Sequence, residues 1–272
     1  LFPYTTLFRS ALMSFCAPPW NLMYTHIISL PPPEGGFIRC AHLRRGDVLL
    51  AQARFDLTLY DDSFSVRWNL PLPPDVRQAV KKRRAEYLAS RWLAREVTGR
   101  IGIPDFLLQN HSDRSPIWPP GVQASLSHTD GAAALAVTRQ PLCIGVDIES
   151  VMSLRTAEET AALLMNDQEE ARLRALPLPF SQAATLLFSL KESLYKALWP
   201  QLHQPMDFPQ ASLLEADIAA GKALLVLNHS FSAAFVAGMR LEAEFQLEAD
   251  RVLTLLTHPV AGNKKPAPSP FR

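Results

Sequence analysis

The sequence is compatible with an α+β protein, and three observations carry that reading. Apolar residues recur with helical spacing in long segments near residues 76–98 and 181–198. Short alternating segments lie between and after them. Strand-rich and helix-rich stretches each appear once in either half, with no detectable sequence repeat. The 272 residues suffice for one large domain or two small ones, and an apolar fraction of 48% supports a sizeable core.

The elements follow in chain order. Residues 1–10 read LFPYTTLFRS, which looks like translated sequencing-library adapter. Residues 1–12 are therefore set aside as non-native, with the start expected at Met13 and Met23 as the alternative. Residues 36–60 alternate in parts, at 47–51 and 54–57, and predict short strands and turns. The prolines at 71, 73 and 74 break the chain. Asp75 is the expected N-cap of a helix over about 76–98, which Gly99 ends. On that helix Arg84, Leu88, Arg91 and Arg95 form one stripe, and Val80, Leu88, Trp92 and Leu93 can face a core. Residues 105–120 are polar and Pro-rich, a loop. The small-residue run at 131–137 predicts a tightly packed strand, and 143–148 a second buried one. Helices are expected at 156–165, 167–176 and 181–198, the last stopping at Pro200. Segments near 223–228, 231–237 and 241–257 predict antiparallel strands. From His258 the chain reads as a disordered tail, 259–272.

Charge is uneven although the net value is only +1. Residues 77–100 hold eight basic and two acidic side chains; residues 147–170 hold seven acidic and one basic. A basic helix suits a phosphate-rich ligand or an acidic partner. Nucleic acid is conceivable on charge alone, but no nucleic-acid motif accompanies it. No window approaches the run of about 18 apolar residues that spans a bilayer. Cys16, Cys40 and Cys143 form no C-x-x-C pair. A disulfide framework or zinc site is not expected, and a reducing cytoplasm is.

Two segments carry chemistry. In Phe188–Ala197, FSLKESLYKA, Glu192 and Lys196 sit one helical turn apart. In Ile144–Glu149, IGVDIE, Asp147 and Glu149 point to the same side of a strand. Three carboxylates and one ammonium converging on one site would suit a hard divalent cation holding a phosphate. Taken singly, an Asp-x-Glu pair is usually a solvated edge, and a Glu/Lys pair a surface ion pair worth a few tenths of a kcal/mol. Their apolar surroundings argue otherwise, because an uncompensated buried charge is expensive.

A third segment joins them: Arg114–Gly121, RSPIWPPG, leads into ASLSHT at 124–129. With these four runs in order the chain resembles the 4'-phosphopantetheinyl transferases, in particular the siderophore-synthetase, enterobactin synthetase component D type. That family carries R-x-P-x-W-P-x-G, G-S-I/L-S-H, G-I/V-D-I/A-E and F-S/C-x-K-E-x-x-Y-K-A. The resemblance covers about residues 70–258, and the combination is specific where each motif alone is weak. It implies two pseudo-twofold α+β subdomains with the active site between them, an architecture that periodicity alone would not supply. Residues 13–140 would be the coenzyme A-binding half and 141–258 the half for magnesium and catalysis.

The implied reaction moves 4'-phosphopantetheine from coenzyme A to a serine of an apo carrier protein and releases 3',5'-ADP. Asp147, Glu149 and Glu192 match the family's Mg²⁺ ligands. Glu192 would also be general base, and Lys196 would neutralise the leaving phosphate. His128, with Ser127 beside it, matches a coenzyme A phosphate contact, and Arg83 and Arg91 match the grip on the 3'-phosphate. Lys191 is read either as an outward charge or as a phosphate contact, Glu86 as a helix salt-bridge partner, and Trp118 as a nucleotide-pocket wall or a core aromatic. The chain departs from the pattern at Ala124 for Gly, Thr129 for Cys, Ser150 for Lys and Leu190 for Ala. The expected partners are coenzyme A and an aryl, peptidyl or acyl carrier domain. A monomer, alone or within a synthetase complex, is expected. The competing readings are a catalytically silent carrier-binding subunit and a basic nucleic-acid-binding protein.

Overall fold

The computed structural model describes residues 26–260. The adapter-like segment and the expected tail from 261 onward lie outside these residues.

The first half begins with an antiparallel meander, β1 (Ile27–Leu30), β2 (Ile38–Arg44) and β3 (Leu49–Phe55). Two short helices follow, α1 (Ser63–Arg67) and α2 (Pro74–Arg77), then the long α3 (Lys81–Arg100). A small ribbon, β4 (Gln109–Asn110) with β5 (Pro116–Ile117), precedes β6 (Gln123–Thr129) and β7 (Ala132–Thr138). The sheet order is β1-β2-β3-β7-β6, antiparallel throughout. The second half opens with β8 (Leu142–Ser150). Three helices follow, α4 (Leu154–Leu164), α5 (Asp167–Ala175) and α6 (Phe180–Leu202). It closes with β9 (Ala211–Asp217), β10 (Lys222–Leu227), β11 (Arg240–Leu247) and β12 (Arg251–Pro259). Its order is β8-β12-β11-β10-β9, again antiparallel. The α+β class holds, and the halves share one design: five antiparallel strands with a long helix laid across them.

Each helix buries an apolar face on its own sheet. Leu88, Trp92, Leu93 and Val97 of α3 pack with Phe37, Leu43 and Leu135. Leu186, Leu190, Leu194 and Leu198 of α6 pack with Leu225, Val252 and Leu256. A third apolar layer lies between the halves, where Ala132, Ala134 and Ala136 of β7 meet Ile144, Val146 and Ile148 of β8. The alanine run is needed there because small side chains let the sheets approach. Between the two sheets Arg44 pairs with Glu244 at 2.8 Å, and Arg54 with Glu248.

Several expectations are corrected. The 76–98 helix is two helices, because α2 ends at Arg77 and α3 starts after an extended Val80 with no side-chain cap. Asp75 therefore lies in the first turn of α2 and caps nothing on α3, Val80 is 73% exposed rather than core, and α3 runs through Gly99. The third helix of the second half runs through Pro200 to Leu202. A proline so near the end forfeits one backbone bond, and His203 then closes the helix in the left-handed region at φ 48°. The 231–237 stretch forms only an isolated bridge, Ser232 with Phe235, while β9 was not anticipated. His258 and Pro259 belong to β12, paired with Cys143 and Leu142, not to a tail.

Candidate active site

The site forms where β6 and β8, the facing edge strands of the two sheets, run side by side. Ser125 Oγ accepts a hydrogen bond from the Val146 backbone N–H at 2.9 Å, and Ser127 Oγ donates to Asp147 Oδ1 at 2.8 Å. Further along, Thr129 and Ser150 hydroxyls meet at 3.3 Å. Thr129 and Ser150 are two of the departures from the family pattern, and they face each other. Ala124 sits in β6 without a positive φ, so its methyl meets no backbone penalty.

Alternation on β8 sends Ile144, Val146 and Ile148 to the inter-sheet layer and the odd residues toward α6. Gly145 makes that face work. A Cβ there would stand 1.8 Å from the Ser193 carbonyl oxygen and 2.7 Å from the Ala197 nitrogen. The bare glycine lets the α6 backbone settle onto β8. Ser189 and Ser193 add hydroxyl contacts to Thr254 on β12 at 2.9 and 2.5 Å. Two residues beyond Gly145, Asp147 is thereby brought under Lys196, with Nζ to Oδ1 at 2.6 Å. Lys196 Nζ also reaches Ser127 Oγ at 3.1 Å.

The charges of the three predicted carboxylates act on one another. Burial, then the Asp147 charge, pushes Glu149 up to about 7, with Lys196 opposing and Glu192 adding to the rise. Burial also raises Glu192, again with Lys196 opposing and Asp147 adding. Asp147 Oδ2 is buried without a hydrogen-bond partner. An orphaned oxygen beside two carboxylates of raised proton affinity is a donor set short of positive charge, as a cation site would be. Among the described residues, no three His, Cys, Asp or Glu side chains are already gathered as a metal cage. Glu192 also borders a hollow of about 160 Å³ walled by Tyr195, Met206, Asp207 and Phe208.

On the other side, α3 meets β6. Arg83 Nη1 lies 3.1 Å from His128 Nε2, and Glu86 Oε2 lies 3.6 Å from His128 Nδ1. Burial, then Arg83, Lys196 and Arg91, depresses His128 to about 4. The ring is neutral at ordinary pH. Arg91 is buried, stacked 4.0 Å above the Tyr87 ring, and donates to Asn110 Oδ1 at 2.6 Å. The stripe of Arg84, Arg91 and Arg95 divides: Arg91 faces this side with Arg83, whereas Arg84 bonds Asp62 at 2.8 Å and Arg95 bonds the Trp68 carbonyl at 2.6 Å.

Lys191 follows neither expected course. It is 3% exposed and spends its three N–H groups on the Leu164 and Phe208 carbonyls and on Glu169, at 2.7, 3.0 and 3.2 Å. Glu169 in turn accepts the Leu213 N–H at 3.0 Å. Lys191 is a structural tie among α4, α5, α6 and β9. Trp118 stacks on Phe106 against the first core, the core reading rather than a wall of the site. Sequence reasoning passed over Ser125 and Gly145 as site-builders. The every-second serine of SLS and the glycine two before Asp147 were the available signals. A cavity of about 480 Å³ lined by Arg44, Gln182, Glu244 and Leu253 includes none of the predicted site residues.

Comparison with known proteins fits this geometry. A family model described as the 4'-phosphopantetheinyl transferase N-terminal domain matches residues 73–138. A second, described as the 4'-phosphopantetheinyl transferase superfamily, matches residues 143–249. Enterobactin synthase component D of Salmonella typhi is 35% identical over 189 residues, covering 69% of this chain and 77% of that protein. The protein of the same name from Escherichia coli K12 is 32% identical over 189 residues, 70% of this chain and 84% of its own. The 4'-phosphopantetheinyl transferase Svp of Streptomyces mobaraensis is 34% identical over 140 residues, 51% of this chain and 57% of its own. The two matched models divide between β7 and β8, where the two sheets also divide, and the chain belongs to the 4'-phosphopantetheinyl transferase superfamily, enzymes that move the phosphopantetheine arm of coenzyme A onto a carrier-protein serine.

Proposed function

We propose that this transferase loads carrier domains of a siderophore-type nonribosomal peptide pathway in the cytoplasm, acting as a monomer. The names of its relatives support the pathway. Residues 13–140 supply the coenzyme A side and residues 141–258 the catalytic side. The observation that carries the chemistry is the Asp147–Lys196–Ser127 junction between the halves, beside Glu149 and Glu192.

Asp147, Glu149 and Glu192 would hold Mg²⁺, which when bound supplies positive charge against the coenzyme A pyrophosphate. Arg83 and Arg91 bind the 3'-phosphate through guanidinium donors, and His128 takes a phosphate oxygen. Glu192 accepts the serine proton as the hydroxyl oxygen bonds to phosphorus. Its raised proton affinity makes it a stronger base than an ordinary carboxylate. Lys196 exchanges Asp147 for the departing phosphate oxygen and neutralises it. Apo carrier incubated with the protein, coenzyme A and Mg²⁺ should gain the mass of one phosphopantetheine. An unmodified carrier that nonetheless binds would instead identify a silent carrier-binding subunit. Salt-sensitive retention on DNA without modification would identify a nucleic-acid-binding protein.

A further inference from the structure

We propose that Glu86 is a positioning residue: it holds His128 with its proton on Nδ1, so that a phosphate arriving at Nε2 brings a second proton onto the ring. The argument starts from hydrogen-bond inventory. A guanidinium has donors and no acceptor. Arg83 Nη1 faces Nε2 at 3.1 Å, so Nε2 must accept and the single proton of the neutral ring must sit on Nδ1. Nδ1 faces Glu86 Oε2.

The 3.6 Å gap exceeds a hydrogen bond. The carboxylate faces the ring without bonding it here, and such contacts commonly close only when ligand is bound. Among the described residues Glu86 is the one carboxylate within ion-pair reach of His128. The other charged groups acting on the ring are cations: Arg83 and Arg91 from α3, and Lys196 from α6. Glu86 is itself 7% exposed, and its other partner is weak. Lys82 Nζ stands 4.0 Å away and is drawn to Asp130 at 2.5 Å. Arg83 adds its charge to that of Lys82, yet burial outweighs both cations and raises the carboxyl's proton affinity, so helix salt bridging alone leaves it undercompensated.

The role rests on the reading of His128 as a phosphate contact. A phosphate entering between Arg83 and His128 takes the Arg83 N–H for itself. Nε2 then faces a phosphate oxygen, acceptor against acceptor. The contact becomes favourable when Nε2 gains a proton from solvent. The ring is then imidazolium, donating Nε2–H to phosphate and Nδ1–H to an ionised Glu86. Coenzyme A binding is thereby coupled to proton uptake, and Glu86 offsets the charge that uptake creates.

The test is titration calorimetry of coenzyme A near pH 7.5 in two buffers of different ionisation enthalpy. It uses the full chain as wild type, His128→Gln and Glu86→Gln. Wild type should take up close to one proton more per coenzyme A than His128→Gln. Glu86→Gln keeps an oxygen facing Nδ1–H but no charge, so uptake should fall and affinity should drop about tenfold or more. Equal uptake by wild type and His128→Gln, or an unaltered Glu86→Gln, overturns the proposal. Nitrogen-15 histidine spectra of the ligand-free protein decide the tautomer independently. Nδ1–H should persist in Arg83→Ala and become mixed in Arg83→Ala/Glu86→Ala, where only the hydrogen bond to the backbone of His128 itself is left to favour it; Nδ1–H in both, or a mixed or Nε2–H ring in the first, overturns the assignment. Wild type that binds no coenzyme A would sink the phosphate reading of the site, and the tautomer in Arg83→Ala would still judge Glu86.

Discussion

Gly145→Ala is the most exacting perturbation of the site, because it adds one methyl and removes no functional group. The new Cβ would lie 1.8 Å from a backbone oxygen of α6, and real Cβ atoms essentially never come within 3.0 Å of such a neighbour. The helix must retreat by about 1.2 Å or more at that point. It cannot swing a side chain aside, since the nearest atoms are all backbone. Overpacking of this kind costs about 1–3 kcal/mol. At about 2–4 °C per kcal/mol for a chain of this size, the melting temperature should fall by roughly 2–12 °C. The same retreat lifts Lys196 from Asp147, now 2.6 Å apart, and shifts Glu192 on the same helix. A displacement near 1 Å at reacting groups can cost about a hundredfold in rate. Calorimetry and a mass-based carrier-loading assay measure both effects. Unchanged melting together with full turnover would refute the claim that a bare backbone at 145 sets the helix on the strand.

Four further outcomes follow from the site. Asp147→Ala should regain part of its lost turnover as Mg²⁺ is raised, whereas Glu192→Gln should bind coenzyme A yet stay about 10²–10⁴ slower at every Mg²⁺ level; equal rescue would leave Glu192 a ligand only. Arg91→Ala should weaken coenzyme A far more than 3'-dephospho-coenzyme A, by roughly ten- to a hundredfold for a charge-assisted contact; equal losses would remove Arg91 from the 3'-phosphate. Substituting Met152, Leu154 and Arg155, of which Leu154 is an exposed apolar residue at the start of α4, should raise KM for carrier and spare KM for coenzyme A; parallel changes would mean misfolding. Glu149, held near 7 when folded against an ordinary 4.5, keeps a proton that the unfolded chain releases, so between those values stability falls as pH rises. Urea unfolding at pH 5 and pH 8 should show Glu149→Gln gaining on wild type at the higher pH, and a constant difference would remove the carboxylate repulsion.

The parts of this fold that the sequence made legible are those governed by local pattern. Helical spacing located α3 and α6, and the alanine run located β7, because period and residue size survive any tertiary context. Boundaries were less legible. Val80 looked like core because it is apolar, but the break before α3 left it in water. Pro200 looked like a stop because proline forfeits a donor, yet the last turn of a helix has little left to lose. The candidate site residues stood out as motifs, whereas their juxtaposition depends on Ser125, Ser127 and Gly145. Their task is to bring the edges of two separate sheets together, and nothing in a one-dimensional pattern marks a strand edge.

Lys191 and Lys196 show why motif reading alone misplaces function. Both are cations in one helical segment, and both lie beside a carboxylate. Five residues along a helix is about 500° of rotation, so the two amines leave α6 in directions well apart. One points among α4, α5 and β9, where all three donors are consumed and its burial holds the half together. The other points over Gly145 to the seam, keeps 27% of its side chain exposed and shares a single carboxylate oxygen with Ser127. A buried and saturated ammonium is costly to disengage, while a partly exposed one can be drawn off by a phosphate. Geometry thus assigns the structural charge to Lys191 and leaves Lys196 free for chemistry.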